Sequence, residues 1–344
     1  MRGLERLGSV RGRKVWRGGA LRVVLSGLLL ALALYLAGPR NDFGPDVPTH
    51  RTQPPAELSA LDGWLQRREA AYPDLRPGVA KGVVWHGTPG QRTGWAVVNL
   101  HGFSASRLET APLAETVAKH LGANLYQSRL AGHGLSSEAM GEVTVQDWLA
   151  DAVEAARIGG MLGDKVLVVG VSSGATLATW LAMQPEGRDV AAYAFISPNY
   201  GPKNKRAELI NTPWGRQLAL LQEGEMRGQA SSDPREAQAW THRHPTRALF
   251  PMMALVKHVR ESDLSRFTKP VLVLYSERDQ TVDPAEIREV FARLGSEAKT
   301  LEAVTYSESA GQHVLAGDIR APRATAPMAR RIADWAQALP NRRP

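Results

Sequence analysis

The chain contains no cysteine. That excludes disulfides, thiolate metal sites, a cysteine nucleophile and a lipid-modified N-terminal cysteine, while leaving the compartment open. There is no Walker A sequence and no G-x-G-x-x-G, so nucleotide binding has no support, and no internal repeat or low-complexity block is present. Positive charge is also scarce where a nucleic-acid partner would need it. Residues 1–40 hold eight Lys/Arg against Glu5 alone, so they account for nearly all of the net charge of +8. A nearly neutral body argues against a phosphate-binding surface. Length and composition, 344 residues with 43% hydrophobic and 22% charged, are those of a globular protein with one large core or two modest ones.

The basic residues flank an apolar run. Val23 to Gly38 reads VVLSGLLLALALYLAG, sixteen residues without a charge, and counting from Ala20 gives nineteen with only Arg22 inside. This is the short end of a membrane span, with Arg22 near enough to one end for its side chain to reach the interface. Six Lys/Arg precede Ala20 and Arg40 alone follows. The positive-inside rule therefore predicts residues 1–19 as a basic cytoplasmic N-terminus, 20–38 as a single-pass signal-anchor in the cytoplasmic membrane, and a body on the periplasmic or extracytoplasmic side. The alternative is a cleaved signal and a secreted body. Ala31-Leu32-Ala33 offers a small-x-small site, but cutting there leaves a short apolar core, and a cut after Ala37 puts Tyr35 where a small residue is wanted.

Residues 39–55 contain Pro39, Pro45, Pro48, Pro54 and Pro55 without apolar periodicity, and read as an extended spacer. An amphipathic stretch from Ala56 to Ala71 opens the domain at 56–344. Strands are expected at 79–85, 95–100, 123–126, 166–169, 192–196, 271–275 and 301–305, and helices at about 108–121, 146–161, 174–184, 284–294 and 326–338. Apolar strands alternating with helices predict an α/β fold with a mostly parallel sheet covered on both faces. Residues 199–268 break the rhythm: they carry helical segments, Trp214 and Trp240, but no convincing strand, and read as a lid inserted over the strand ends. Open α/β sheets bind ligands at those carboxyl ends.

One strand leads directly into chemistry. Lys165–Trp180 reads KVLVVGVSSGATLATW: an apolar β-branched run, then Gly170-Val171-Ser172-Ser173-Gly174, then helix-forming residues. A serine at the centre of G-x-S-x-G between strand and helix stands on a sharp elbow that exposes its hydroxyl, which makes Ser172 a candidate nucleophile. A serine hydroxyl needs a base to take its proton and a third group to orient the base. His313, in Ser307–Leu315 after the last strand, is the one histidine that follows the expected acid loop Ser276–Asp283. Two aspartates compete there. Asp283 precedes Pro284 and has Glu286 three positions on, the signature of a helix N-cap with a capping box. Asp279 has no such explanation and is the preferred acid, with Glu277 a distant third. The strand at 95–100 ends in His101-Gly102-Phe103-Ser104, so the backbone N–H groups of Phe103 and Ser173 are the candidate oxyanion donors. His101 and His133 are read as turn residues. His242 and His244 lack converging ligands for a metal, and Pro251–Val256 reads as lid core in preference to an acyl-binding or membrane-facing surface.

The HGFSAS of 101–106, the LAGHG of 130–134, the GVSSG elbow, SERDQTVDP and GQHVL together resemble the α/β-hydrolase superfamily. Within it they are most similar to the carboxylesterase and monoacylglycerol lipase-like (serine aminopeptidase S33-type) group, over residues 80–340. The resemblance implies Ser172 as nucleophile, Asp279 as acid, His313 as base, and Phe103 and Ser173 as oxyanion donors. Two departures stand out: Ser173 follows the nucleophile where an apolar residue is usual, and Gln127-Ser128-Arg129 occupies a place where many relatives have an aspartate. The expected activity is a membrane-anchored serine esterase acting on a small-molecule or lipid ester, without metal or cofactor. A peptidase or acyltransferase with the same triad, or a non-catalytic binding protein of the same fold, are the alternatives. Oligomeric state is not readable.

Overall fold

The computed structural model describes residues 12–340. The basic residues 1–11 lie outside them, and so do the side chains of 12–20. Helix α1 (Gly12–Leu36) takes up the apolar run, and every described side chain on it, from Leu21 to Leu36, is exposed. Among the described residues no helix is long and apolar enough to cross a membrane. Past α1 the chain closes tightly onto the body. A Cβ on Gly38 would lie 2.1 Å from Trp214 Nε1, which donates to Leu34 O at 3.1 Å, while the Trp214 N–H donates to Pro39 O at 2.9 Å.

Residues 39–55 form no helix or strand, yet they lie against the body. Asn41 Nδ2 donates to Phe250 O at 2.8 Å and Asn211 Oδ1 at 2.9 Å, the Phe43 ring stacks on His258 with centroids 3.7 Å apart, and Trp180 Nε1 donates to Asp46.

The body then alternates. It runs α2 (Leu61–Glu69), β1 (Gly82–Val84), β2 (Thr93–Leu100), α3 (Leu113–Leu121), β3 (Asn124–Gln127), α4 (Val145–Leu162), β4 (Gly163–Val171), α5 (Ser173–Ala182) and β5 (Val190–Ile196). Between β5 and β8 (Val271–Tyr275) is an insertion carrying α6 (Gly215–Glu223), β6 (Met226–Arg227), α7 (Pro234–Ala239), β7 (His244–Pro245) and α8 (Leu249–Glu261). The chain ends with α9 (Pro284–Arg293), β9 (Lys299–Ala303) and α10 (Pro322–Ala338). Seven strands form one sheet in the order β1-β3-β2-β4-β5-β8-β9; β1 is antiparallel to β3, and every other pair is parallel.

Side chains alternate across this sheet, as its pleat requires. Val97, Leu125, Leu167, Val169, Leu272 and Leu274 join a core with α3 and α10; Ala96, Val98, Val166, Val168, Val271 and Val273 join a larger one with α4, α5, α8 and α9. Both faces are dry, which is why these strands read as near-continuous apolar runs.

Several element ends differ from the sequence reading. The strand expected at 79–85 shortens to Gly82–Val84 because it pairs on one side only, at the sheet edge. The helix expected from 108 begins at Leu113, after a 3₁₀ turn at Arg107–Glu109 whose Ser106 side chain accepts the Leu108 N–H. The last helix starts at Pro322, where a first-turn proline loses no hydrogen bond, and it carries Pro327 inside it. Residues 199–268, read as strandless, contain the two-residue ribbon β6–β7.

Candidate active site

Ser172 sits between β4 and α5 at φ +51°, ψ −118°, a region L-residues rarely occupy. The surroundings fix it there: its N–H donates to Ile196 O at 2.9 Å, and its carbonyl accepts from Ala175, Thr176 and Asn199 N–H. The flanking glycines are needed for close approach. A Cβ on Gly174 would lie 2.2 Å from Leu100 O, and one on Gly170 2.7 Å from Ala175 Cα.

His313 comes from the loop after β9. Its Nε2 is 3.0 Å from Ser172 Oγ, and its Nδ1 is 2.8 Å from Asp279 Oδ2. A carboxylate at Nδ1 selects the Nδ1–H tautomer, so Nε2 is left to accept from the serine. Asp279, 1% exposed, is held in turn by the N–H groups of Thr281 at 2.7 Å and Val282 at 3.0 Å on Oδ1. The two loops are stitched together: Ser276 Oγ donates to Gln312 Oε1, and Gln280 N–H donates to Gly311 O.

The competing carboxylates lie elsewhere. Asp283 Oδ1 accepts the Ala285 N–H at 3.0 Å as the cap of α9. Glu286 does not close the expected capping box; it reaches Lys205 at 2.6 Å. Glu277 bonds Tyr275 Oη and Arg288.

The loop after β2 has consecutive amides aimed in different directions. Gly102 N–H donates to Glu109 Oε1 at 2.5 Å, and Ser104 N–H donates to His133 Nε2 at 3.0 Å. Among the described hydrogen bonds none engages the N–H of Phe103 or of Ser173. The Ser173 hydroxyl accepts from Asn199 Nδ2 at 3.3 Å.

His101 and His133 do more than shape their own turns. His101 Nδ1 donates to Gly102 O and its Nε2 accepts the Leu130 N–H at 3.0 Å, while His133 Nδ1 donates to Ala131 O. Each ring thus ties the loop after β2 to the loop after β3. Burial pushes His101 down to about 4 and His133 well below its ordinary range, and each ring's one accepting nitrogen requires the neutral form. The loop after β3 is anchored from below by Arg129, which pairs through Nε and Nη2 with Glu69 at 2.7 and 2.8 Å.

A small cavity beside the elbow is lined by Phe103, Leu130, His133, Trp148, Ser173, Leu177 and Leu255. Leu255 lies in the Pro251–Val256 segment, whose Met252–Val256 side chains are buried in α8. A larger groove between α2 and β1 shares no residue with the elbow or its loops. His242 and His244 take separate neighbours: His242 Nε2 is 3.6 Å from Glu236, whereas the His244 ring meets the Phe103 ring edge-on at 5.3 Å. Sequence reasoning missed Glu109 and Asn199. Asn199 follows a strand end, a position that could have flagged it; Glu109 carries no local signal at all.

The profile of the family described as "Serine aminopeptidase, S33" matches residues 91–308. A thermostable monoacylglycerol lipase from Bacillus sp. (strain H-257) is 26% identical over 205 residues, covering 60% of this chain and 78% of that protein. Among solved structures, one from a study of the metagenome-derived lipolytic enzymes LipS and LipT aligns with TM-score 0.61 at 23% identity, covering 76% of this chain and 99% of that one. A monoacylglycerol lipase of Paleococcus ferrophilus aligns with TM-score 0.55 at 17% identity over 74% and 97%. These structural likenesses bear on the fold.

Proposed function

Because the chain belongs to the serine aminopeptidase S33 family of α/β-hydrolases and is a hydrolase of the esterase and lipase-like kind, we propose that it cleaves carboxylic esters through an acyl-enzyme on Ser172. The observation that carries this reading is the relay of contacts from Ser172 Oγ through His313 to Asp279. Ser172 Oγ attacks the ester carbonyl as His313 Nε2 takes its proton, and Asp279 stabilises the imidazolium. The charge on the carbonyl oxygen is met by the N–H groups of Phe103 and Ser173. Collapse breaks the bond to the alkoxy oxygen, which leaves with the proton from His313. Water, deprotonated by the same ring, then releases the acid.

The substrate class we assign is a lipid-derived ester. The relative whose name is monoacylglycerol lipase supports it. We assign residues 199–268 the role of a lid over the strand ends, and α1 that of a tether holding the body on the outer side of the cytoplasmic membrane. The exposed apolar side chains from Leu21 to Leu36 support the tether, because in water such a face carries an uncompensated hydrophobic cost.

A fluorophosphonate probe should label the purified protein, and Ser172→Ala should abolish labelling; a variant that still labels moves the nucleophile elsewhere. Turnover of p-nitrophenyl esters of graded chain length, set beside aminoacyl anilides, separates esterase from peptidase. An N-terminus that still begins at Met1 in the membrane fraction supports the tether, and a mature N-terminus beyond residue 30 overturns it.

A further inference from the structure

Among the described residues, Glu109 is a buried carboxyl beside the elbow that the proposed chemistry does not use. It closes the 3₁₀ turn Arg107–Glu109 and is 3% exposed. Its Oε1 accepts the Gly102 N–H, and no ion pair reaches it among the described residues. The point where a Cβ on Gly102 would stand lies 3.1 Å from Glu109 Oε2 and 3.3 Å from Ser172 Cβ. Only the missing side chain of Gly102 separates this carboxyl from the elbow. A buried carboxyl with no cation beside it is costly to keep, so its position calls for a function.

We infer that Glu109 is a positioning residue for oxyanion binding: by holding the Gly102 N–H it turns the following peptide so that the Phe103 N–H faces the space above Ser172. The inference rests on the proposed attack by Ser172. The His101–Gly102 peptide is pinned by Glu109 through the Gly102 N–H, the Phe103–Ser104 peptide by His133 Nε2, and the Gly102–Phe103 peptide between them is held at its carbonyl by His101 Nδ1. With both neighbours fixed, the amide between them is held toward the site before substrate arrives, which is the condition under which an oxyanion donor is most effective. A donor free to rotate would have to be ordered during the reaction, at a cost in kcat.

The charge of the clamp matters as well. Burial pushes the Glu109 carboxyl up to about 8, so near neutrality it holds its proton and puts no negative charge behind the hole. The elements around it bring His101 on the same loop, the Arg107–Glu115 pair at 3.6 Å, the Arg320–Glu236 pair at 2.9 Å and His313 across Ser172. Arg320 favours the ionised form, but burial outweighs it. Once Glu109 ionises, a carboxylate stands behind a donor that has to receive developing negative charge, and acylation slows.

The test uses the full-length protein and p-nitrophenyl butyrate. Glu109→Leu keeps the volume and removes the acceptor; kcat should fall about ten- to a hundred-fold with KM within about three-fold, the pattern of a lost transition-state contact. Glu109→Gln keeps an oxygen for the Gly102 N–H and should recover most of that loss. It should also lack the decline in kcat expected of the unaltered protein above pH about 8. Thermal melting accompanies both variants, and if Glu109→Leu does not fold, the Gln variant decides alone. A folded Leu variant with unchanged kcat, or a Gln variant with the same alkaline decline, overturns the inference. Failure of the underlying reading looks different: Ser172→Ala would then remain active, whatever Glu109 does.

Discussion

Asp279 and His313 meet at 2.8 Å, while Asp283, four residues farther along the chain, commits its carboxylate to the first turn of α9. The two aspartates therefore separate by measurement. Asp279→Asn should lower kcat by about 10³- to 10⁴-fold. Asp283→Ala should leave turnover close to normal and cost about 1 kcal/mol of stability as a lost cap. Steady-state kinetics and urea unfolding of both variants check this, and reversed outcomes would hand the acid role to Asp283.

The buried histidines set an acid limit on stability. His101 and His133 fold as neutral rings, His101 with its value pushed down to about 4 by burial from 6.5. In the unfolded chain both take protons below about 6.5, so their contribution is complete above that pH and is lost as pH falls towards 4. His101 alone accounts for about 3 kcal/mol on that difference. Because the buried Glu109 carboxyl, pushed up to about 8, gains stability over the same fall in pH, the histidines are read in Glu109→Gln, whose melting temperature should stay level from pH 8 to about 6.5 and then drop; a curve flat to pH 4.5 in that variant would contradict the neutral pair.

Arg129 and Glu69 form a bidentate pair with side chains only 3% and 6% exposed. Removing one partner leaves the other charge buried alone, so Arg129→Met should cost about 3–5 kcal/mol. Arg129→Lys should recover little of it, because an ammonium does not reproduce the fork. Denaturant midpoints give the comparison.

Gly38 tests how firmly the N-terminal strap is seated. A side chain there collides with the Trp214 indole, so Gly38→Leu should displace that ring and speed proteolysis within residues 39–55. Esterase turnover on a water-soluble ester should change by less than about two-fold, since the site lies in other elements. Limited trypsin digestion at Arg40 and Arg51 reads the result directly.

What could be read in the sequence follows from how local each cause is. The parallel sheet was legible because both its faces are buried and each strand, such as Val271–Tyr275, is a short unbroken apolar run. Ser172, Asp279 and His313 each sit in a loop just past a strand, and each loop carries its own short signature. The edge strand β1 and the start of α3 were misjudged because their limits depend on one-sided pairing and on a 3₁₀ turn. Glu109 was invisible for a different reason. Its place under Gly102, seven positions earlier, is created by the intervening loop folding back on itself, and nothing in the residues around Glu109 distinguishes it from a surface glutamate.

The positive φ of Ser172 has a consequence for how the protein ages. A non-glycine residue in so sparsely populated a region costs about 1–3 kcal/mol, and glycine largely escapes that cost. Ser172→Gly should therefore melt later than the active protein while turning over nothing. On the proposed attack by Ser172, any selection for heat resistance that does not also demand turnover will then favour discarding the hydroxyl at the elbow, so durability and activity pull on this one residue in opposite directions.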